Sequence, residues 1–128
     1  MKFIKIISTY CFLLSIICCT TNYSKSSKKL DDNWVFKCTS DSIWRPAIVP
    51  GTVHTDLLEN NVIENPFFRN NEHNLQWVDK ESWEYKTSFF LSEKEINFKN
   101  IQLIFNGLDT YSTVYLNDSL LFSSENMF

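Results

Sequence analysis

Groups capable of acid–base, metal or nucleophilic chemistry are present in this chain, but their spacing matches no catalytic motif. Asp and Glu together number 15, beside two histidines and four cysteines. His54 and His73 lie 19 residues apart, which is not a metal-ligand spacing, so we expect no metal site. No cofactor is expected either. His54 is expected to be a packed, hydrogen-bonded residue, and Cys38 a small buried hydrophobe rather than a nucleophile.

Length and composition limit the scaffold that could carry such chemistry. The chain has 128 residues, enough for one domain, whereas an eight-stranded βα barrel needs about 250. Lys and Arg number 12 against 15 acidic residues, so there is no basic excess for nucleic acid. Aromatic residues make up 16% of the chain while Gly and Pro are scarce, which indicates a folded domain with a ring-rich core.

The first 30 residues have the pattern of an export leader. Lys2 and Lys5 precede an apolar stretch at residues 6–19, so residues 1–19 are predicted to be a signal peptide. A polar tether follows at residues 20–30. From Asp31 onward there are seven basic and 15 acidic residues, a net charge of −8.

Two adjacent cysteines at the end of the leader leave two forms of export open. Cys18 and Cys19 end the apolar stretch and precede Ser, Thr and Lys residues, as in a bacterial lipoprotein signal. The leader therefore predicts either a lipid tether to a membrane at one of these cysteines or simple cleavage. The expected location is periplasmic or the outer membrane in a bacterium, and lysosomal or secreted in a eukaryote.

Beyond Lys29 the apolar residues recur with a period of two, which is typical of β-strands. The predicted strands are residues 34–36, 47–49, 85–89, 101–105, 111–116 and 120–122. Asn106-Gly107 predicts a hairpin between residues 101–105 and 111–116, and Asn117-Asp118 predicts the next reversal. Pro50-Gly51 suits a type II turn with Gly51 at positive φ.

One short helix is predicted at residues 52–60. Thr52 is available as its cap, and Val53, Leu57 and Leu58 form an apolar stripe. Residues 60–80 then form a long connection without periodicity. A loop of that length in a compact domain is usually functional or packed against another element.

Seven sequence blocks in register carry a family resemblance. They are WRPAIVPGTVHTDLL (44–58), IENPFF (63–68), NE with QWV (71–78), WEY (83–85), GLDTY (107–111), LN (116–117) and NMF (126–128). Together they resemble the amino-terminal region of β-mannosidases of glycoside hydrolase family 2. The resemblance covers the chain from about Trp34 to Phe128.

The resemblance implies an all-β fold, a galactose-binding-domain-like jelly-roll β-sandwich. In the family this domain accompanies immunoglobulin-like sandwiches and a βα barrel that holds both catalytic Glu residues. The family removes terminal β-linked mannose from glycans with retention of configuration, which requires two carboxyl groups about 5–5.5 Å apart. That barrel, a partner in cis, is outside the 128 residues. We therefore assign no catalytic residue to this chain and expect it to be inactive alone.

Three further expectations follow from the resemblance. The sandwich, residues 31–128, is expected to be truncated at its C-terminal side, marginally stable and prone to self-association. Asn71, Glu72 and Trp77 are expected to line the rim of the mannose site or to hold an interdomain contact, with a core position as the alternative for Trp77. The chain is accordingly an exported β-mannosidase fragment or a free-standing, membrane-tethered carbohydrate-binding or scaffold module.

Overall fold

The computed structural model describes residues 26–126, and the chain divides between Leu30 and Asp31 into two units. The predictions for the leader, including lipidation of Cys18 or Cys19, concern residues outside the described range. Every helix and strand of the described residues lies in the unit that begins at Asp31. Over residues 26–126, none of the helices has the length and hydrophobicity to cross a bilayer.

The first sheet has three antiparallel strands, β1 (Trp34–Cys38), β2 (Arg45–Ala47) and β3 (Trp83–Lys86), in the order β2-β1-β3. Phe36 on the central strand lies opposite Tyr85 of β3. Alternation places Phe36 and Tyr85 on the covered face, while Lys37 faces outward and pairs with Glu84 at 3.3 Å. The prediction of a strand at residues 34–36 is confirmed, and β2 begins two residues before its predicted start.

The turn after β2 differs from the prediction. The Val49–Pro50 peptide bond is cis, and neither glycine has a positive φ, so the predicted role of Gly51 in a type II turn is wrong. Gly51 is instead required for close approach. A Cβ atom at this position would collide with the carbonyl oxygen of Ile48.

The predicted helix is confirmed as α1 (Val53–Glu59). The Thr52 hydroxyl accepts the backbone N–H of Thr55, and the Thr55 hydroxyl accepts the N–H of Thr52, so two of the unpaired donors at the helix start are satisfied. Leu57 is buried in the core, whereas Leu58 is 36% exposed.

The core lies between α1, the first sheet and the loop at residues 60–80. Its buried members are Phe36, Leu57, Ile63, Leu75 and Val78, with Ala47, Val53, Trp83 and Tyr85 packed against them. The Phe36 ring centroid lies 5.9 Å from that of Trp83 and 5.6 Å from that of Tyr85. Cys38 is buried as predicted.

The second sheet is a hairpin of β4 (Thr110–Leu116) and β5 (Ser119–Asn126). The reversal predicted at Asn117-Asp118 is confirmed. Both residues have positive φ, 49° and 62°, as the tight turns that match the right-handed twist of a hairpin require. A register shift between Val114 and Tyr115 interrupts the pairing.

Two predicted β features are wrong. Residues 101–105 form no strand, so the hairpin expected at Asn106-Gly107 is absent from the described chain. Ile101 and Ile104 are 56% and 74% exposed. An apolar segment becomes a strand only when a neighbouring strand supplies backbone hydrogen bonds, and no strand of the described chain pairs with residues 101–105. The strand predicted to reach Phe89 ends at Lys86.

The expectation of a single short helix is also incomplete. Two further one-turn helices occur, α2 (Asn71–Asn74) inside the long loop and α3 (Glu93–Ile96) after β3. Ser92 and Glu95 form a capping box at the start of α3. Neither helix has the length over which hydrophobic periodicity is readable from sequence.

Candidate functional site

The loop at residues 60–80 is an ordered part of the domain. It contains α2 and a 3₁₀ turn at Val78–Lys80. Ile63, Leu75 and Val78 anchor the loop in the core beside Phe36 and Leu57. Because these anchors are spread along the loop, the polar and aromatic residues between them are held at fixed positions on the surface.

The structure gives the three predicted rim residues different roles within the loop. The Asn71 side-chain amide donates to the carbonyl oxygen of Asn65 at 2.9 Å, so Asn71 braces the loop. Glu72 is exposed and lines a surface cleft. Trp77 is 40% exposed, and its ring centroid lies 6.0 Å from that of Trp83. Trp83 is part of the core surround, and its indole N–H donates to the carbonyl of Val78.

The cleft beside Glu72 has a volume of about 220 Å³. Its lining residues are His54, Pro66, Glu72, Leu75, Gln76 and Asp79. The structure therefore brings Glu72 together with His54 from α1, a juxtaposition that was not predicted. Asn71 and Trp77 flank this cleft in sequence but are not among its lining residues.

The polar groups of the cleft are one imidazole, two carboxylates and one amide. His54 Nε2 lies 3.9 Å from Asp79 Oδ1, a distance at which a protonated imidazole and the carboxylate attract each other. Throughout residues 26–126, no group of three or more His, Cys, Asp or Glu side chains is placed to hold a metal ion. The cleft can therefore offer hydrogen bonds and a local negative charge to a ligand.

Asp56 is a buried carboxylate that the sequence interpretation missed. One of its oxygens accepts the backbone N–H of Ile48 at 2.9 Å, and the other accepts the hydroxyl of Tyr85 at 2.7 Å. Burial of Tyr85 and its hydrogen bond to Asp56 raise the pKa of this tyrosine well above its usual value. Asp56 thus connects α1 to two parts of the first sheet region.

Asn60, the residue that follows α1, performs a related role. Its side-chain amide donates to the carbonyl of Pro46 on β2 at 2.9 Å. Asp56 therefore accepts a hydrogen bond from the backbone N–H of Ile48, just after β2, and Asn60 donates one to the backbone carbonyl of Pro46 within β2. The signal was available in the sequence, because residues 53, 56, 57 and 60 follow the i, i+3, i+4, i+7 spacing of one helix face.

Comparison with known proteins gives consistent matches. Residues 34–128 match the family model described as "Glycosyl hydrolase 2 galactose-binding domain-like". The chain is 30% identical over 117 residues to the β-mannosidase of Rattus norvegicus, and 38% identical over 103 residues to β-mannosidase B of Aspergillus clavatus. These matches cover 91% and 77% of this chain but 13% and 12% of the relatives.

A solved structure supports the same relationship. The crystal structure of β-D-mannosidase from Dictyoglomus thermophilum superposes with a TM-score of 0.76 and is 44% identical in sequence. The match covers 79% of this chain and 12% of that protein. The chain thus spans about an eighth of the length of the relatives it matches.

Proposed function

The chain belongs to the glycosyl hydrolase 2 galactose-binding domain-like family, and on that premise we propose that it is the amino-terminal, non-catalytic domain of an exported β-mannosidase. The observation that carries the proposal is the match over residues 34–128, together with 44% identity to a solved β-D-mannosidase. The parent enzyme would act on mannose-containing glycans and release terminal β-linked mannose with retention of configuration.

The catalytic step itself is assigned to a barrel domain in cis. A retaining mechanism needs one carboxylic acid and one carboxylate about 5–5.5 Å apart across the scissile bond. The carboxylate that is buried within the described residues, Asp56, accepts hydrogen bonds from Ile48 and Tyr85 at its two oxygens. The chain is therefore proposed to support and delimit the mannose site without performing the chemistry.

The loop at residues 60–80 is proposed as the part that meets the barrel. It presents aromatic surface at Trp77 and at Phe67, which is 97% exposed. Exposed aromatic side chains are typical anchors of interfaces and can stack on a sugar ring. Glu72 would accept hydroxyl donors at the rim, and Asn71 would hold the loop in shape through Asn65.

The exposed apolar side chains of the second sheet support the proposal that this domain is part of a larger protein. Its hairpin exposes Tyr111, Tyr115 and Leu120, and the preceding segment exposes Ile104. A two-stranded hairpin is marginally stable unless its apolar face packs on something. We propose that further strands of the parent sandwich cover this face, and that without them the hairpin promotes self-association.

Export is proposed from the leader alone. The basic residues Lys2 and Lys5 and the apolar stretch at residues 6–19 support passage across a membrane. Cys18 or Cys19 would carry a lipid if the leader is of the lipoprotein type. Mass spectrometry of the mature chain expressed in a bacterium tests this, because diacylation of a cysteine adds a mass that simple cleavage does not.

A chimera tests the main proposal. Residues 34–128 replace the matching segment of the Dictyoglomus thermophilum enzyme, and hydrolysis of an aryl β-mannoside is measured. We expect turnover by the chimera and none by the 128-residue chain. Turnover by the chain alone, or an inactive chimera with a native fold, would refute the proposal.

The same chimera tests whether Trp77 lines the rim of the mannose site. We expect Trp77→Ala to raise KM about tenfold, the loss of one stacking contact of about 1.4 kcal/mol. Trp44→Ala is the matched control, because Trp44 is 38% exposed and lies on the outer side of the first sheet beside Lys37. An unchanged KM in the Trp77 variant would remove this residue from the rim.

A further inference from the structure

Asn106-Gly107 is the one Asn-Gly pair of the sequence, and the structure places it outside any strand or helix. Asn106 is exposed, and its side-chain amide has no hydrogen-bond partner among residues 26–126. The backbone N–H of Gly107 is likewise not bonded to any residue that the structure describes. The side-chain amide and the following peptide nitrogen are therefore free to react with each other.

The surroundings of Gly107 are open. Apart from its two chain neighbours, no atom lies within 4 Å of the position that a Cβ atom would take here. Packing therefore does not shield the peptide nitrogen, and glycine has no side chain of its own to do so. The φ angle of Gly107 is not positive, so alanine can adopt the same backbone conformation. A substitution at this position can thus change reactivity without straining the fold.

Asn97-Phe98 shows the opposite arrangement. The Asn97 side-chain amide donates to the carbonyl oxygen of Glu93 at 2.7 Å. The backbone N–H of Phe98 donates to the carbonyl oxygen of Glu95 at 3.2 Å. Both groups are thus held by hydrogen bonds, and the Phe98 side chain stands beside the peptide nitrogen. Asn97 therefore serves as the internal reference for a protected asparagine.

We propose that Asn106 is a site of spontaneous modification, deamidation through a cyclic imide. The Gly107 backbone nitrogen loses its proton to water and forms a bond to the side-chain carbonyl carbon of Asn106. The bond from that carbon to the side-chain nitrogen breaks, and this nitrogen takes up a proton and leaves as ammonia. One water molecule then opens the imide ring. The product is aspartate, or isoaspartate, in which the backbone runs through the former side-chain carbonyl carbon.

The modification changes the chemistry of the second region. Asn106 lines a cleft of about 640 Å³ together with Leu103, Phe105 and Phe122, so a carboxylate replaces a neutral amide beside apolar side chains. The isoaspartate product also lengthens the backbone between residues 101–105 and β4. Because removing a carboxylate from water costs free energy, the modified chain resists the covering of this apolar surface.

Mass spectrometry of peptides from the full 128-residue chain, incubated in mildly alkaline buffer, measures the reaction. We expect Asn106 to lose ammonia, gain a mass of about 1 Da and yield isoaspartate, while Asn97 stays unchanged over the same time. A synthetic peptide of residues 103–109 gives the rate without a fold. The rate in the chain should lie within about threefold of the peptide rate, because the fold gives this pair no protection.

Gly107→Ala is the matched variant, because the open space admits its methyl group. It should lower the rate of deamidation at least about tenfold, since the methyl group crowds the attacking nitrogen. Circular dichroism spectra of the variant and the unchanged chain should coincide. An unchanged rate in Gly107→Ala, or equal rates at Asn97 and Asn106, would overturn the inference. A rate in the chain more than about tenfold below that of the peptide would do the same, because it would show that the fold protects Asn106.

Discussion

Two regions of this domain both contain strands with apolar side chains, but they differ in whether other elements cover those side chains. In the first region, residues 34–86, a helix and an ordered loop cover one face of the sheet, and Phe36 is fully buried. In the second region, residues 101–125, no side chain is fully buried, and apolar residues of both hairpin strands face solvent. Apolar content alone therefore does not produce a core, because an element from elsewhere in the chain must cover it.

Polar groups show the same contrast. Asp56 in the first region is buried with both carboxylate oxygens engaged. Ser112 in the second region has a buried hydroxyl that lacks a hydrogen-bond partner within the described residues. Buried polar groups in complete domains are nearly always paired. The first region thus pairs its buried carboxylate, whereas the second leaves the Ser112 hydroxyl without a partner among the described residues.

The largest expected effect comes from truncating matched aromatic residues in the two regions. Phe36→Ala should lower the free energy of unfolding by about 4 kcal/mol, because it opens a cavity in the core. Phe122→Ala should cost about 1 kcal/mol, because that ring is 39% exposed and its aromatic contact is with Phe105 alone in the described chain. Urea unfolding of the 128-residue chain measures both. Equal losses would show that the hairpin has a core of its own.

A smaller effect is expected from the buried polar groups. Asp56→Ala should lower the free energy of unfolding by about 3 kcal/mol, because the N–H of Ile48 and the hydroxyl of Tyr85 lose their acceptor. Ser112→Ala in the second region should change it by less than about 0.5 kcal/mol, since no hydrogen bond is lost. Urea unfolding of the 128-residue chain measures both changes in the free energy of unfolding. A costly Ser112→Ala would indicate that its hydroxyl is in fact satisfied in solution.

Some local signals could be read from the sequence, but the turn expected at Pro50-Gly51 and the hairpin expected at Asn106-Gly107 do not form as predicted. The cap at Thr52 and the turn at Asn117-Asp118 depend on residues adjacent in sequence, and both predictions are confirmed. The strand predicted at residues 101–105 does not form, and β4, the hairpin partner expected for it, pairs only with β5 in the described chain. The roles of Asp56 and Asn60 depend on contacts with the backbone of Ile48 and Pro46, which a pattern of apolar residues on a helix does not encode.

The candidate site also combines residues that the sequence could identify with an arrangement that it could not. Glu72 and Trp77 could be chosen from sequence because the loop matches a family block. Their separation could not, since it depends on how Leu75 and Val78 anchor the loop to Phe36. The approach of His54 to Asp79 joins residues from α1 and the 3₁₀ turn, which no local pattern encodes.

The smallest expected effect is a pH dependence confined to the first region. Burial and the bond to Asp56 raise the pKa of Tyr85, while the unfolded chain has a tyrosine pKa of about 10. Above about pH 10 the unfolded state therefore loses the Tyr85 proton first. Its contribution to stability is complete below that pH and is lost as the pH rises through the folded pKa. The slope is at most about 1.4 kcal/mol per pH unit, and smaller because the half-buried ring is partly screened.

Two variants separate this effect from the other groups that titrate at alkaline pH. Tyr85→Phe should remove the Tyr85 part of the slope, because no proton is then lost at this position. Tyr111→Phe in the exposed hairpin should keep the full slope, because Tyr111 is 75% exposed and has no carboxylate acceptor in the described structure. Urea midpoints between about pH 8 and about pH 11 provide the comparison. Parallel profiles for the unchanged chain and Tyr85→Phe would show that the bond from Tyr85 to Asp56 does not favour the folded state, and with it the argument that polar pairing completes the first region would fail.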